Sequence, residues 1–347
     1  MREKLTRREF LKIASLFSGA AGLGRFLPED ERNTTLGIGR VAGGYSVARQ
    51  EPDFRAPHNL IYDRDQLITL LEEVHVEHSF YSSRWYRTFD GYIHGAYIQP
   101  VEMHSNIPAP RIREGGQIGE VTVPMSQSKR LYRRNGWRNL YRLYYQSVHW
   151  VTDVIEGPTG KPWYEITDER LKIKYHVPAS HIRLIPDYEL TPLSPEVPLE
   201  DKRIVVSNRE QTMQCYEGEK LVFATDVSTG EGGPTQNGIA RITPRGKFRI
   251  SWKMPVRHMG NGRITDDFLS YELVGVPWCC FFVSTGVAFH GTFWHNNYGY
   301  KMSSGCVNLR SDEAKWLYRW TMPVSPPGEW YQDGVGTEVQ VIDGDTY

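Results

Sequence analysis

Val287-Ala288-Phe289-His290-Gly291-Thr292-Phe293-Trp294-His295, followed by Lys301-Met302-Ser303-Ser304-Gly305-Cys306-Val307-Asn308-Leu309, are the two runs whose reading decides the rest of the chain. The first is apolar and β-branched up to His290, as a strand delivering a histidine would be. The second is polar until it reaches a glycine and a cysteine. A thiol becomes a strong nucleophile when an imidazole accepts its proton, which needs the two side chains within about 3–4 Å in the fold, whatever their separation in sequence. Gly305 permits a backbone turn closed to other residues, so the amide of Cys306 and that of Gly305 or Ser304 can converge on one point as an oxyanion hole. Removing one such donor typically costs about 3–4 kcal/mol of barrier.

Working outward, Arg203–Ser207, Thr212–Tyr216 and Leu221–Thr225 are short runs split by turns and predict an antiparallel meander. Gly246–Trp252, Phe281–Val283 and Thr337–Ile342 extend it into a mostly β domain. One helix is expected, with Ser311 as N-cap, Asp312 and Glu313 at the positive end of its dipole, and Ala314, Trp316, Leu317 and Trp320 in its body. Cys279 and Cys280 lie in the apolar run Val276–Val283 and read as small core residues of a buried strand. With Cys215, they lack zinc-site spacing and are too sparse for a disulfide scaffold.

His-Gly followed some fifteen residues later by Ser-x-Gly-Cys resembles the signature of YkuD-type L,D-transpeptidases. Upstream, Val227-Ser228-Thr229-Gly230 resembles that family's strand-end Ser-Thr-Gly, and Thr243-Pro244-Arg245-Gly246-Lys247-Phe248 its Thr-Pro-x-Gly-x-Phe turn. The resemblance spans about Arg203 to Ile342. It implies Cys306 as the nucleophile, attacking the carbonyl between the L-centre of a diamino acid and the terminal D-alanine of a tetrapeptide stem. It implies His290 as general base and acid, the Gly291 carbonyl orienting the imidazole, Gly305 in the oxyanion hole, and Ser303 bonded within the loop. The product is a 3→3 cross-link in peptidoglycan, and carbapenem-type inhibitors are expected on the same thiol.

Two departures stand out. Many members have His where this chain has Ser304, so His290 is expected to work without a second imidazole. Many have Arg where this chain has Asn308, so carboxylate recognition there is lost or moved, with Arg310 the candidate. Ser303, Ser304, Asn308, Arg310, Tyr271 and Trp294 form the expected substrate-binding set. Trp252 and Phe268 are equally readable as cleft wall or as packing. His290, His295 and Cys306 also invite a zinc reading, but neither a tight His pair nor the carboxylate of His-Glu-x-x-His is present. His295 is therefore expected to be a surface or loop histidine, and no cofactor is implied.

Before this domain come two stretches that look alike: Trp85-Tyr86 through Ile98, and Trp163-Tyr164 through Ile182. Each has a Trp-Tyr pair, a polar turn, a short β-type run and an Ala-x-x-Ile-like ending. They resemble bacterial SH3-like modules. Two roles stay open for them, binding wall polymer through exposed aromatics or spacing and covering the catalytic domain. Asp65–Leu71 reads as a helical turn. Arg130–Asn139, basic with interleaved aromatics, reads as a solvated loop face. Prolines at 186, 192, 195 and 198 predict a stiff extended linker. At the start, Thr6-Arg7-Arg8-Glu9-Phe10-Leu11-Lys12 before a short apolar stretch resembles a twin-arginine export signal, with cleavage or retention as an anchor both open.

Lys+Arg and Asp+Glu balance at 41 each, so no global field holds the chain on nucleic acid or an anionic surface, and membrane contact is expected only through an uncleaved signal. The 347 residues, 39% hydrophobic and 12% aromatic, exceed one ordinary core. The expected architecture is mainly β: a signal and linker at 1–40, SH3-like barrels at 41–110 and 111–187, a Pro-rich linker at 188–201, and a YkuD-like β-rich catalytic domain with one or two short helices at 202–345. Export through the twin-arginine route would place it in the periplasm, the cell wall or the outer face of the cytoplasmic membrane. An L,D-carboxypeptidase, or a non-catalytic wall-binding protein, is the alternative.

Overall fold

The computed structural model describes residues 35–77, 82–233 and 241–344; the expected export signal lies almost entirely outside them. The described chain is mainly β, and none of its helices is long and apolar enough to cross a membrane. Its described residues divide into two compact units, one within Met1–His104 together with Thr122–Pro124 and Trp294–Asn296, the other within Ser105–Val121, Met125–Phe293 and Asn297–Tyr347.

In the first unit, β1 (Gly37–Val41), β4 (Leu67–Leu70) and β8 (Ile98–Val101) form one sheet in the order β4-β1-β8. The other, β3-β2-β7-β6-β5, is made by β2 (Tyr45–Arg49), β3 (His58–Asp63), β5 (Glu72–His75), β6 (Arg84–Thr88) and β7 (Gly91–His94). The core is Val41, Ile68, Leu70, Tyr86, Ile93 and Ile98. Residues 65–71, expected as a helical turn, are mostly strand: Ile68 and Leu70 are buried while Leu67 and Thr69 are less so, a period of two that only β geometry satisfies.

The second unit begins with a seven-stranded sheet, β11-β10-β14-β13-β12-β9-β15. Its strands are β9 (Gln117–Val121), β10 (Met125–Tyr132), β11 (Gly136–Tyr144), β12 (Val148–Glu156), β13 (Pro162–Thr167), β14 (Lys174–Pro178) and β15 (Ile182–Leu184). The look-alike stretches take the same path here: the Trp-Tyr pair sits on β6 or β13, and a three-residue 3-10 turn, Gly95–Tyr97 or Ala179–His181, leads into the last strand. The basic segment 130–139 is not a loop. It is the turn end of the β10–β11 hairpin, registered Lys129↔Asn139 through Tyr132↔Gly136, where Leu131, Tyr132 and Trp137 suit a paired strand.

Two further five-stranded sheets follow. One runs β18-β17-β16-β25-β19, from β16 (Lys202–Ser207), β17 (Thr212–Glu217), β18 (Lys220–Asp226), β19 (Gly246–Arg249) and β25 (Glu338–Ile342). The other runs β23-β22-β21-β20-β24, from β20 (Trp252–Gly260), β21 (Glu272–Phe281), β22 (Ala288–Gly291), β23 (Val307–Leu309) and β24 (Gln332–Asp333). A core of Ile204, Val206, Met213, Phe282, Phe289, Val307 and Leu317, among others, fills the space between them. Cys279 and Cys280 are fully buried on β21, as a core strand requires.

The helix α1 (Ser311–Trp320) starts where expected but is capped differently. Arg310 is the N-cap residue, Glu313 reaches back to its amide, and the buried Ser311 hydroxyl has no partner among the described residues. The proline-rich segment is not a free spacer. Leu190 is buried in the shared core, Leu193 N donates to Arg319 O, and Glu189 accepts from both Arg183 and Lys315. Apolar residues between its prolines give it something to bury, and it docks on α1.

Candidate active site

β22 and β23 are parallel neighbours, with Phe289 opposite Val307, His290 opposite Asn308 and Gly291 opposite Leu309. Opposite residues in a parallel pair share a face, and so do residues two apart on one strand. Cys306 immediately precedes β23, two residues before Asn308, so the chain enters that strand next to the one that carries His290. Both strands are buried throughout, which leaves little room for slippage.

His290 is 2% exposed. Its Nδ1 lies 3.0 Å from Gly291 O, and its Nε2 lies 3.2 Å from Asn308 Nδ2. A carbonyl only accepts and an amide nitrogen only donates, so these contacts select one tautomer, with hydrogen on Nδ1 and a lone pair on Nε2. Burial pushes the imidazole pKa down to about 4, against a smaller raising effect of the Gly291 bond. The ring is therefore neutral at pH 7. Cys306 is partly exposed and its Sγ donates to Gly286 O at 3.9 Å. Burial raises its pKa above the usual thiol value, a backbone bond from Ala288 opposing. The resting pair is thus a neutral thiol and a neutral base.

The loop before Cys306 is tied from inside and from below. Ser303 Oγ donates to Cys306 O at 2.5 Å and accepts from Gly305 N at 3.0 Å. The Gly305 amide, expected to face the substrate oxygen, is therefore directed inward at rest. Gly305 itself has φ +124°, a conformation that favours glycine. Thr243 Oγ1 donates to Gly305 O at 2.8 Å and accepts from Gly230 N at 3.0 Å. Gly230 in turn bridges Ser303, Ser228 bridges Asn308, and Gln211 clasps Thr229 through both ends of its amide. The upstream Ser-Thr-Gly and Thr-Pro stretches thus converge under the cysteine loop. Thr243 and Gln211 were not singled out in the sequence; Thr243 lay inside a recognised motif, whereas nothing marked Gln211.

Other candidates fall elsewhere. Asn308 is 1% exposed and faces His290, so its side chain is turned to the imidazole and away from solvent. The Arg310 guanidinium is committed to Glu313, Thr225 and the ring of Tyr298, which replaces the carboxylate recognition expected of it. Ser304 is exposed. Tyr271 keeps 57% of its surface open. Its covered part, and then the charge a thiolate at Cys306 would carry, raise its hydroxyl pKa, with Arg241 opposing. Trp294 belongs to the first unit, where it packs against His295, a loop histidine that is buried and not at the surface. Trp252 stacks on Phe281, and Phe268 lies under Arg142. Among the described residues no cluster of His, Cys, Asp or Glu is arranged to hold a metal ion.

A cysteine at the entry to β23 and a neutral imidazole on β22, its parallel neighbour, are the residue types that thiol acyl transfer needs. Residues 201–341 match the family model described as YkuD, L,D-transpeptidase catalytic domain, and this stretch of the chain is such a domain. Solved structures resembling the chain include the L,D-transpeptidase (residues 123–326) from Xylanimonas cellulosilytica DSM 15894, 20% identical over 40% of this chain and 59% of that one, TM-score 0.29. Others are an L,D-transpeptidase from Mycobacterium smegmatis (19% identity, 49% and 73%, TM-score 0.31) and the catalytic domain of an E. faecium L,D-transpeptidase (27%, 41% and 98%, 0.29). The chain spans less than two thirds of the first of these. No curated protein matches it. The assignment of residues 201–341 rests on the family match and the site geometry.

Proposed function

We propose that the chain is a cysteine acyltransferase acting on peptidoglycan stem peptides, an L,D-transpeptidase that forms 3→3 cross-links. What supports this is the match of residues 201–341 to a YkuD catalytic domain, together with the His290 contacts that leave a lone pair on Nε2 one strand away from Cys306. Cys306 Sγ attacks the donor carbonyl as its proton passes to Nε2, and a tetrahedral oxyanion forms against backbone amides. Asn308 Nδ2, which occupies Nε2 at rest, gives way to that proton. Collapse expels the terminal D-alanine, which takes the proton from His290, and leaves a thioester. An acceptor amine then attacks, His290 removes its proton, and the thiol is regenerated. The thiolate, imidazole and amides supply every step.

The stretches around Trp85 and Trp163 are SH3-like modules in this reading, supported by the 3-10 turn before the last strand of each. The Arg7-Arg8 segment is a twin-arginine signal that delivers the protein outside the cytoplasm; changing both arginines to Lys is expected to leave it inside, as fractionation would report.

Mass spectrometry tests the chemistry. A carbapenem should add its mass to Cys306 of the full chain and fail to do so in Cys306→Ala. Incubation with disaccharide-tetrapeptides then separates the outcomes: dimers support the transpeptidase, whereas trimmed stems alone mark an L,D-carboxypeptidase. No adduct, together with wall binding by the SH3-like modules alone, would leave a binding protein and defeat the proposal.

A further inference from the structure

The loop 261–271, which ends at Tyr271, is held at its base by a charged cluster that the acyl-transfer steps do not use. His258, near the end of β20, is 1% exposed. Its Nδ1 lies 2.6 Å from Asp168 Oδ2 and its Nε2 3.0 Å from Glu272 Oε2. Glu272 opens β21, so it belongs to the far side of the same hairpin. Asp168 belongs to the turn between β13 and β14, in the seven-stranded sheet that precedes the catalytic domain.

Each carboxylate is already an acceptor on its other bonds. Asp168 Oδ1 takes the amides of Arg170 and Leu171 at 2.9 and 2.8 Å. Glu272 takes those of Gly262 and Arg263, both at 2.9 Å, and so closes the first turn of the loop. Neither partner offers the ring a hydrogen. A neutral imidazole carries one N–H and an imidazolium two, so both contacts are hydrogen bonds only when His258 is protonated.

The surroundings agree with that charge state. Glu169, from the same turn as Asp168, accepts the His258 amide at 2.7 Å and faces Arg257 at 3.4 Å. Tyr141 of β11 stands edge-on to the ring at 5.5 Å, with Tyr175 of β14 edge-on to Tyr141. His149 of β12 is neutral, its pKa pushed down to about 3 by burial. Burial would lower the pKa of His258 too, but the bond and charge of Asp168, then Glu272 and Glu169, outweigh it and raise the value. Other contacts from the preceding sheet reach the loop or the strand end before it: Tyr141 OH donates to Arg263 O at 2.9 Å, Arg170 Nη1 donates to Gly260 O, at the end of β20, at 2.8 Å, and Arg142 lies 4.1 Å over Phe268.

We infer that protonated His258 is a positioning residue, a pin that fixes the loop 261–271 and its Tyr271 to the preceding β-sheet and so makes that sheet part of the acyl-transfer site. The inference rests on Cys306 being the acylated nucleophile. Loss of the ring proton leaves one of the two bonds without a donor and sets two buried carboxylates beside each other with no cation between them. The loop base is then released. The pin is whole below the raised pKa of His258 and is lost as pH rises through it.

The test uses the full chain, His258→Gln and Asp168→Asn. Hydrogen exchange of peptides covering 261–271, corrected for intrinsic rate, is followed from neutral to alkaline pH alongside the rate of carbapenem addition to Cys306. Wild type should lose loop protection about tenfold or more with rising pH. In Asp168→Asn the new side-chain amide can donate to a neutral ring nitrogen while the ring's one N–H serves Glu272, so this variant should keep its loop protected across the whole range. A residue that merely filled space would not show this conversion. His258→Gln should lose protection already at neutral pH and add carbapenem about tenfold more slowly. An Asp168→Asn loop that loosens with pH as wild type does overturns the pin, and it decides the matter if His258→Gln does not fold. Protection that changes while the addition rate does not follow it overturns the positioning role. Protection that behaves as expected with no adduct in any protein, wild type included, instead overturns the reading of Cys306.

Discussion

The Nδ1 hydrogen of His290 goes to the Gly291 carbonyl, and that bond decides which ring nitrogen is left basic. Because burial holds the ring near a pKa of about 4 and lifts the thiol above its usual value, the reactive form is the neutral pair. Carbapenem addition to Cys306 should therefore be nearly flat from about pH 5 to about pH 8 and fall below that as the base is protonated. A bell centred on an ordinary histidine pKa, seen by stopped-flow or intact-mass kinetics, would falsify this charge state. Thr243 offers a second check. Thr243→Val keeps the shape but removes the bonds to Gly305 and Gly230, and it should cost about 1–2 kcal/mol in urea unfolding and slow addition about tenfold. Cys306 and His290 could be singled out in the sequence because the chemistry expected of them admits few residue types. Thr243 and Gln211 were not, because a threonine or glutamine that holds backbone looks like any other until the chain is folded.

At the scale of elements, α1 depends on a buried cation. Lys253, on β20, sends its ammonium to the carbonyls of Tyr318, Thr321 and Pro323 at 2.5, 2.9 and 2.9 Å, satisfying the end of the helix. Lys253→Met removes the only charge in that set of bonds and should destabilise the chain by about 3 kcal/mol, read by chemical denaturation. A loss below about 0.5 kcal/mol would show that water replaces the ammonium. The existence of the helix was readable from 311–320, but its cap was not. Sequence favours Ser311, yet Ser311 is the first helical residue and packs against Gly291, where a Cβ would sit 2.9 Å from Ser311 Cα. Residues 65–71 misled for the opposite reason, since a short run of Leu, Ile and Thr fits two periods and only pairing chooses between them.

For the molecule as a whole, the proline-rich segment ties the seven-stranded sheet to the catalytic domain through Glu189, which bonds Arg183 on β15 and Lys315 on α1. The Arg183 bonds, then Lys315, hold its carboxyl down to about 2 although burial pulls the other way. Its contribution is complete above the ordinary glutamate pKa and is lost as pH falls toward 2. Wild type should thus lose its stability advantage over Glu189→Gln between about pH 4.5 and about pH 2 in urea titrations; parallel curves for the two proteins would remove Glu189 from the account. Proline spacing suggested a stiff linker, but the docking of this segment depends on Leu190 and Leu193 finding apolar surface on another element, which no local pattern records.

The same-direction pairing of β22 with β23 has a consequence for how such a protein can change over time. Strands that run the same way must be joined by a crossing connection, and the length of that connection does not enter the register. The alignment of His290 with Asn308 is therefore kept by strand pairing, and a homologue with a connection of another length can preserve it.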